Sequence, residues 1–290
     1  MTHWLKSLGC LLLCLCLCAP AAAEDALQAE DGFSLLLIGT DAYSEEERGR
    51  SDTIMLVRLD PARKTIRLVS FLRDLYVKIP GHGASRINAS YAWGGAELLK
   101  ETLEVNFGVT VDAYAEVNFE RLVRVIDAIG GVTVAVSEAE REQLNVILRA
   151  YNERTGSPRE DQLLQESGTV LLCGKQALCF SRIRKIDSDF QRTSRQREVI
   201  EAAFRQVMGL SPIKMTVLAL NNLDAVTTDL GRADILRLAP MALGLRDAAF
   251  EAAQIPAAGA YTDESISGMA VLVPDLAKNR QALTRFLNGE

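Results

Sequence analysis

The residues best suited to chemistry in this 290-residue chain are the arginines between positions 181 and 197. The segment reads SRIRKIDSDFQRTSRQR and holds six Lys or Arg against two Asp, in a chain whose formal charge is −6. The planar guanidinium fork of Arg suits phosphate and carboxylate oxygens. In an extended stretch, Arg182 and Arg184 would point the same way, about 6.5–7 Å apart, and could together hold a pyrophosphate. The segment predicts an anion-binding site, with a solvated run of surface charge as the alternative.

A second set of Arg and Asp residues flanks three predicted strands. Asp41 follows the first strand, and Arg50 and Asp52 lie just before the second. Arg73 and Asp74 follow the third. If the second strand is antiparallel to both others, all three loops open at one sheet edge, where functional side chains collect. Two carboxylates there could bind Mg²⁺ together with substrate phosphate oxygens. Ordinary Arg–Asp pairing is the alternative for Asp52.

The elements that must position these residues are short apolar, β-branched runs interleaved with helical patterns. The turn sequence DPARK at 60–64 joins two such runs as a predicted hairpin. Strands are predicted at 33–39, 53–59, 65–71, 109–117, 132–136 and 269–273, and helices at 95–107, 119–129, 138–154 and 198–208. Strands interleaved with helices predict a layered α/β domain with a mixed sheet.

Composition and charge limit the class of protein. The chain is 48% hydrophobic and 24% charged, which is typical of a globular protein. Its pI of about 5.2 argues against nucleic-acid binding. Residues 1–23 contain the apolar run 8–18 followed by three alanines, a pattern typical of an export signal. The run is shorter than the roughly 20 residues of a membrane-spanning helix, so we predict a cleaved signal at 1–23 and one domain at 24–290. An uncleaved anchor is the alternative.

Cysteine and histidine usage excludes several kinds of site. Outside the predicted signal only Cys173 and Cys179 remain, and they could form a local disulfide or stay as buried thiols. The chain has two histidines, His3 and His82, and no CxxC pair. This argues against a zinc site and against a Ser-His-Asp nucleophilic centre.

Several ordered motifs resemble the LytR-CpsA-Psr family. They are LLLIGTD (35–41), GRSDTIMLV (49–57), SFLRDLYVKIP (70–80), RINASYAWGG (86–95), AIGGVTV (128–134) and GKQALCFSRIRKIDSDFQRTSRQR (174–197). The stretch GMAVLVPD (268–275) looks like the trailing region of that family. The resemblance implies a three-layer α/β/α sandwich with a central mixed β-sheet and an apolar lipid pocket.

The resemblance also implies roles for individual residues. Asp41 and Asp52 would be the carboxylates associated with Mg²⁺. The phosphate clamp would consist of Arg50, Arg73, Arg182 and Arg184, of which the last three, together with Asp52, are the expected catalytic residues. Further substrate contacts would come from Arg86, Asn88, Arg192 and Gln196. Arg86 stands where the family often has Lys, so a bidentate fork replaces a compact ammonium group. The alternative for Asn88 is that it is an ordinary asparagine of a turn, with no contact to substrate.

The implied activity is transfer of a glycopolymer phosphate from a polyprenyl-pyrophosphate carrier to a peptidoglycan sugar hydroxyl. It would take place at the outer face of the cytoplasmic membrane or in the cell wall, with the membrane surface as a further partner. Mg²⁺ and the arginines would neutralise the charge as the bridging bond breaks, and Asp74 is a candidate base with a structural role as the alternative. A non-catalytic, regulatory polyprenyl-phosphate-binding protein and a Mg²⁺-dependent polyprenyl pyrophosphatase are the competing interpretations.

Overall fold

The structure is a computed structural model that describes residues 32–41, 49–211, 227–231, 234, 238, 241 and 244–290. The predicted export signal lies outside the described residues. The chain divides into two compact units. The sheet unit comprises the described residues of 32–118 and 227–290, and the helical unit comprises residues 119–211. The expectation of one domain across 24–290 stays a prediction.

The elements are numbered along the chain. The strands are β1 (Phe33–Thr40), β2 (Ser51–Asp60), β3 (Thr65–Phe71), β4 (Tyr76–Ile79), β5 (Gly83–Arg86), β6 (Ala113–Val117), β7 (Val132–Val136), β8 (Gly168–Leu172), β9 (Thr227–Thr228), β10 (Ala249–Ile255), β11 (Tyr261–Ile266) and β12 (Met269–Pro274). The helices are α1 (Asn88–Phe107), α2 (Phe119–Ala128), α3 (Glu138–Arg154), α4 (Gly174–Ser181), α5 (Asp189–Met208) and α6 (Leu276–Asn288).

A mixed sheet of six strands forms the centre of the sheet unit, in the order β10-β3-β2-β1-β6-β9. Strand β2 is antiparallel to both β1 and β3, so the predicted hairpin is confirmed. Strands β10 and β6 run parallel to β3 and β1. Every residue of β3 is buried, which means that both faces of the sheet are covered at this strand. The predicted α/β class with a mixed sheet is therefore confirmed.

Helix α1 differs from its prediction, which placed the start at Gly95. The helix begins at Asn88, and Gly95 lies inside it with φ 69° and ψ −157°. The prediction was wrong because Gly95 forms a kink between two helical segments rather than the first turn of one. Helix α1 packs against β2, β4 and α6, and α6 also packs against β10.

The helical unit contains α2, β7, α3, β8, α4 and α5. The predicted bounds of β7 and α3 are confirmed, and a capping box between Ser137 and Glu140 begins α3. Helix α5 begins at Asp189 rather than near the predicted Glu198. The second half of the Arg-rich segment is therefore helical. None of the helices in the described residues is long and apolar enough to cross a membrane.

Candidate functional site

The sheet edge at the end of β1 contains a β-bulge that displays Asp52. Gly39 pairs with Thr53 and Thr40 pairs with Ser51, so Asp52 is the extra residue on β2 with no partner of its own on β1. A bulge bends its strand and redirects the side chain of the extra residue. The local pairing therefore sets the direction of the Asp52 carboxylate.

Asp41 lies directly after β1 and is tied to the segment that leads into β2. Its Oδ1 accepts a hydrogen bond of 2.7 Å from the backbone N–H of Arg50. Its own N–H donates to the Arg50 carbonyl at 3.3 Å. These two bonds bring Asp41 to the edge that carries Asp52, as the sequence predicted. The Arg50 residue itself is exposed.

Four charged side chains form an alternating series at this edge. Arg73 Nη1 donates to Asp52 Oδ1 at 2.7 Å, and Arg73 Nε lies 3.5 Å from Asp74 Oδ2. Arg86 Nε lies 3.3 Å from Asp74 Oδ1. The four side chains are between 21% and 27% exposed, so they are accessible from solvent and also held in place. We call Asp52, Arg73, Asp74 and Arg86 the edge series.

Backbone hydrogen bonds fix the loop that carries the middle of the edge series. The Arg73 carbonyl accepts from the N–H of Asn88 at 3.3 Å, where α1 begins. The Asp74 carbonyl accepts from the N–H of Leu272 at 3.0 Å. Arg86 Nε and Nη2 both donate to the Ala270 carbonyl, at 3.1 and 2.6 Å. Strand β12, which lies within the GMAVLVPD stretch, thus supports the edge series, a contact that the sequence did not predict.

In the helical unit, Arg182 is the first residue beyond α4. Its φ of −105° and ψ of 0° close the helix rather than extend the chain. The expected extended geometry of Arg182 and Arg184 is therefore wrong, because the Arg182 N–H bonds back to the carbonyl groups of the last turn. The Arg182 guanidinium carbon lies 4.4 Å from the centre of the Phe119 ring. Within the described part of the chain, no acid forms an ion pair with Arg182.

Arg192 is a buried cation on α5. Its side chain is 2% exposed, and Nη1 lies 3.3 Å from Asp189 Oδ1. Neither Nε nor Nη1 makes a hydrogen bond with any of the described residues. Asp189 also lies 3.6 Å from Arg184 Nε, so one acid joins two of the predicted site arginines. A buried guanidinium with two unsatisfied nitrogens suits an anionic ligand.

Arg195, which the sequence did not single out, is the structural arginine of this segment. Its guanidinium donates to Glu140 Oε1 at 2.7 Å, to Asp187 and to the Ile183 carbonyl. These contacts tie the turn after α4 to the start of α3. Gln196, the next residue, is half-buried on α5.

The predicted site residues thus form two groups. Asp41, Arg50, Asp52, Arg73, Arg86 and Asn88 lie in the sheet unit, and Arg182, Arg184, Arg192 and Gln196 lie in the helical unit. That both groups contact one head group stays a prediction.

Comparison with known proteins shows which family the chain belongs to. The model described as the LytR_cpsA_psr family matches residues 19–285, which is most of the chain. The chain belongs to this family.

A curated relative from Halalkalibacterium halodurans, named polyisoprenyl-teichoic acid–peptidoglycan teichoic acid transferase TagU, is 32% identical over 208 residues. These residues cover 70% of this chain and 63% of the relative. The first curated relatives are matched over 54% to 63% of their own length, so the chain spans between half and two thirds of them.

Solved structures of family members share the fold. A structure of TagT bound to LIIa-WTA has a TM-score of 0.71 and 29% identity, and covers 91% of this chain and 93% of its own. A structure of YwtF (TagT) with bound octaprenyl pyrophosphate lipid has a TM-score of 0.67 and 26% identity, with coverage of 90% and 92%.

Cys173 and Cys179, the two cysteines among the described residues of this LytR_cpsA_psr family member, are free thiols, so of the two alternatives that the sequence left open the local disulfide is not formed. Cys173 precedes α4, and Cys179 is buried inside the helix, where burial raises the pKa of its thiol to about 12. A neutral buried thiol is not a nucleophile. Cys179 therefore acts as a core side chain.

The acids of the sheet edge would suit a metal ion that takes most of its ligands from a bound substrate and water. Among the described residues, no group of three or more His, Cys, Asp or Glu side chains could bind a metal ion on its own. Asp41, directly after β1, and Asp52, on β2, flank the Thr40–Ser51 pair. Two hard carboxylates of this kind fit Mg²⁺, which takes most of its other ligands from phosphate oxygens and water.

Proposed function

We propose that this protein transfers a glycopolymer phosphate from a polyprenyl-pyrophosphate carrier to a sugar hydroxyl of peptidoglycan. The observation that carries the proposal is the edge series, in which Asp52 and Asp74 orient the guanidinium of Arg73 at an accessible sheet edge. The TagU name of the curated relative and the octaprenyl pyrophosphate bound to YwtF (TagT) support the same substrate class.

In this reaction the main role of the protein is to stabilise negative charge, and no covalent bond to the protein is required. The acceptor hydroxyl oxygen attacks the phosphorus that carries the glycan, its proton passes to water or to the departing phosphate, the bridging P–O bond breaks, and polyprenyl phosphate leaves. Arg73 is positioned to stabilise the negative charge that develops on the phosphoryl oxygens, a contribution typically worth about 10²–10³ in rate for one oriented donor. Because Asp52 fixes Arg73 in advance, little reorganisation accompanies the reaction.

Asp74 serves this site as a positioning residue in our proposal. Its two carboxylate oxygens each lie within 3.5 Å of a guanidinium nitrogen, from Arg73 and Arg86. A carboxylate held between two cations is poorly placed to accept a proton from the acceptor hydroxyl. We therefore assign Asp74 to the support of the arginines.

Mg²⁺ is part of the proposal. Asp41 and Asp52 would hold the ion at the edge of β1 and β2, and the ion would neutralise the pyrophosphate charge. The buried guanidinium of Arg192, with two nitrogens unsatisfied by the described residues, is a second group suited to phosphate oxygens. Activity outside the cytoplasmic membrane follows from the proposed cell-wall acceptor and the predicted export signal.

The proposal is tested by incubating the purified full chain with polyprenyl-pyrophosphate-linked glycan, with and without a peptidoglycan oligomer. We expect polymer on the oligomer and release of polyprenyl phosphate only when acceptor and Mg²⁺ are both present, with EDTA abolishing the reaction. Cleavage that needs no acceptor would identify a pyrophosphatase instead. Tight lipid binding without any cleavage would identify a non-catalytic binding protein.

A further inference from the structure

Two aromatic rings form a pair on the surface of the sheet unit. The Trp93 residue is 45% exposed, and its ring centre lies 4.9 Å from that of His82, with the planes at 30°. Trp93 is the bulkiest exposed apolar side chain among the described residues. Ring centres at this distance and angle describe a stacked pair, in which each ring covers one face of the other. Both residues are exposed, so the outer faces and the edges of the two rings remain for contact with a ligand.

A turn holds His82 in place. The His82 N–H donates to the Ile79 carbonyl at 3.0 Å, and the two residues between them are Pro80 and Gly81. Gly81 has φ 73°, so the turn has Pro and Gly at the positions that a type II turn favours. A Cβ atom at Gly81 would meet no other atom within 4 Å, and the same holds for Gly83. The surface on both sides of His82 is therefore open.

Helix α1 holds Trp93 in place. Trp93 lies in the short segment before the kink at Gly95, and its near neighbours Ser90 and Tyr91 are buried. The Ser90 hydroxyl donates to the Ile87 carbonyl at 2.7 Å. The two rings thus come from a closed turn and an anchored helical segment.

The aromatic pair is connected to the edge series through regular elements of the same unit. Helix α1 begins at Asn88, whose N–H bonds to the Arg73 carbonyl. Trp93 follows five residues later, about 7–8 Å along the helix axis. From His82, strand β5 runs to Arg86, roughly 13 Å along an extended chain. Both lengths along the chain are within the span of a short oligosaccharide.

We propose that His82 and Trp93 form a platform on which a pyranose ring of the glycan acceptor stacks. The proposal rests on the proposed function and adds an acceptor subsite to it. The C–H face of a pyranose is apolar and packs on an aromatic face, and the indole N–H can donate to a sugar hydroxyl. A polyprenyl chain requires an enclosed apolar surface, whereas this pair is open to solvent.

Binding is measured through Trp93 itself. The chain has two tryptophans, Trp4 and Trp93, so in a Trp4→Phe chain all indole fluorescence comes from the platform. Titration with a β-1,4-linked N-acetylglucosamine oligosaccharide should give a saturable change in this fluorescence. His82→Ala in the same background should weaken the apparent affinity about tenfold, the scale of one lost ring stack.

Transfer kinetics provide the second readout. Trp93→Ala should raise KM for the glycan acceptor about tenfold, with kcat and the KM for the lipid-linked donor unchanged within about twofold. Trp93→Phe keeps an aromatic ring, so its rise in acceptor KM should be less than half of the rise caused by Trp93→Ala. Val105→Ala is the matched control, because Val105 is 44% exposed on the same helix and lies beyond the kink. If Trp93→Ala fails to fold, Trp93→Phe and His82→Ala decide the question.

The outcomes separate this platform from the proposed function. No saccharide-dependent fluorescence, together with an unchanged acceptor KM in both platform variants, would overturn the platform while leaving the transfer reaction intact. Saccharide binding that depends on His82, in a protein that transfers nothing, would support the platform and overturn the proposed function. A fluorescence response to lipid-linked donor alone would overturn the platform.

Discussion

The two ends of the β2–β3 hairpin carry the same residue types in different environments. Near the connecting turn, Arg67 Nη1 lies 3.4 Å from Asp60 Oδ2, and the two side chains are 3% and 8% exposed. At the opposite edge, Arg73 Nη1 lies 2.7 Å from Asp52 Oδ1, and the side chains are 23% and 25% exposed. Both pairs join a β2 acid to an arginine on or just after β3.

The partners explain the difference between these ends. Arg67 also donates to Glu251 on β10 at 2.7 Å and to the Leu287 carbonyl of α6 at 3.5 Å. Its contacts hold three elements together within the core. Arg73 contacts acids that are themselves accessible, at an edge where loops meet. Residue type alone does not separate a structural guanidinium from a candidate functional one, whereas burial and the identity of the partners do.

The largest expected effect is on transfer, at the exposed end. Arg73→Gln removes the oriented cation, and we expect the rate of polymer transfer to fall about 10²–10³-fold. Stability should change by no more than about 1 kcal/mol, because partly exposed ion pairs contribute little. A transfer assay and urea denaturation measure the two quantities.

Arg149→Gln is the matched control for that experiment. Arg149 forms a two-nitrogen contact with Glu160, at 3.0 and 3.1 Å, on the surface of the helical unit. We expect full activity from this variant. A near-normal rate of polymer transfer by Arg73→Gln would contradict the proposed catalytic role of the edge series.

At the buried end of the hairpin, we expect substitution of the arginine to lower stability and to leave transfer activity nearly unchanged. Arg67→Met leaves the buried Asp60 carboxylate with Arg63 as its remaining cation, at 2.9 Å. We expect a loss of about 2–3 kcal/mol, less than the roughly 3–5 kcal/mol typical of a buried charge left with no partner. Urea denaturation measures the loss, and the activity of the folded fraction should stay near that of the wild type. An unchanged free energy of unfolding would contradict the structural role of Arg67.

The comparison also shows which features a sequence can predict. Continuous β-branched runs and the DPARK turn were enough to predict the hairpin, and antiparallel pairing then placed Asp41, Asp52 and Arg73 at one edge. The bulge at Asp52 could not be predicted from the sequence, because it depends on how two strands pair and not on either strand alone.

In the Arg-rich segment the sequence identified the cations but not their roles. Arg195 binds Glu140, which is 55 positions away, so no local pattern distinguishes it from Arg192. The Phe119 ring beside Arg182 is 63 positions away in the sequence. Asp189 and Arg192 are three positions apart on α5, a spacing that indicates an ion pair on a helix, but the sequence predicted no helix before Glu198 and so did not identify this contact.

The smallest expected effect concerns the pH dependence of the buried end. Burial raises the pKa of Asp60, but hydrogen bonds from the Arg63 backbone and side chain, with the charges of Arg63 and Arg67, outweigh it and hold this pKa below 3.8. A carboxylate with a lowered pKa in the folded state stabilises the protein above its unfolded pKa, and the effect disappears as pH falls through the folded value.

Arg63→Gln removes one side-chain hydrogen bond and one charge, so the pKa of Asp60 should rise toward its ordinary value. The wild type should then exceed this variant in unfolding free energy by less than about 1 kcal/mol at pH 6, because Arg63 is largely exposed. The gap should begin to narrow as pH falls below 3.8, where Asp60 of the variant becomes protonated, and should close as pH falls through the lower pKa of Asp60 in the wild type. Urea denaturation at pH 6 and pH 3 measures the gap. A gap that is equal at the two pH values would mean that Arg63 stabilises the turn by packing and not through the Asp60 charge.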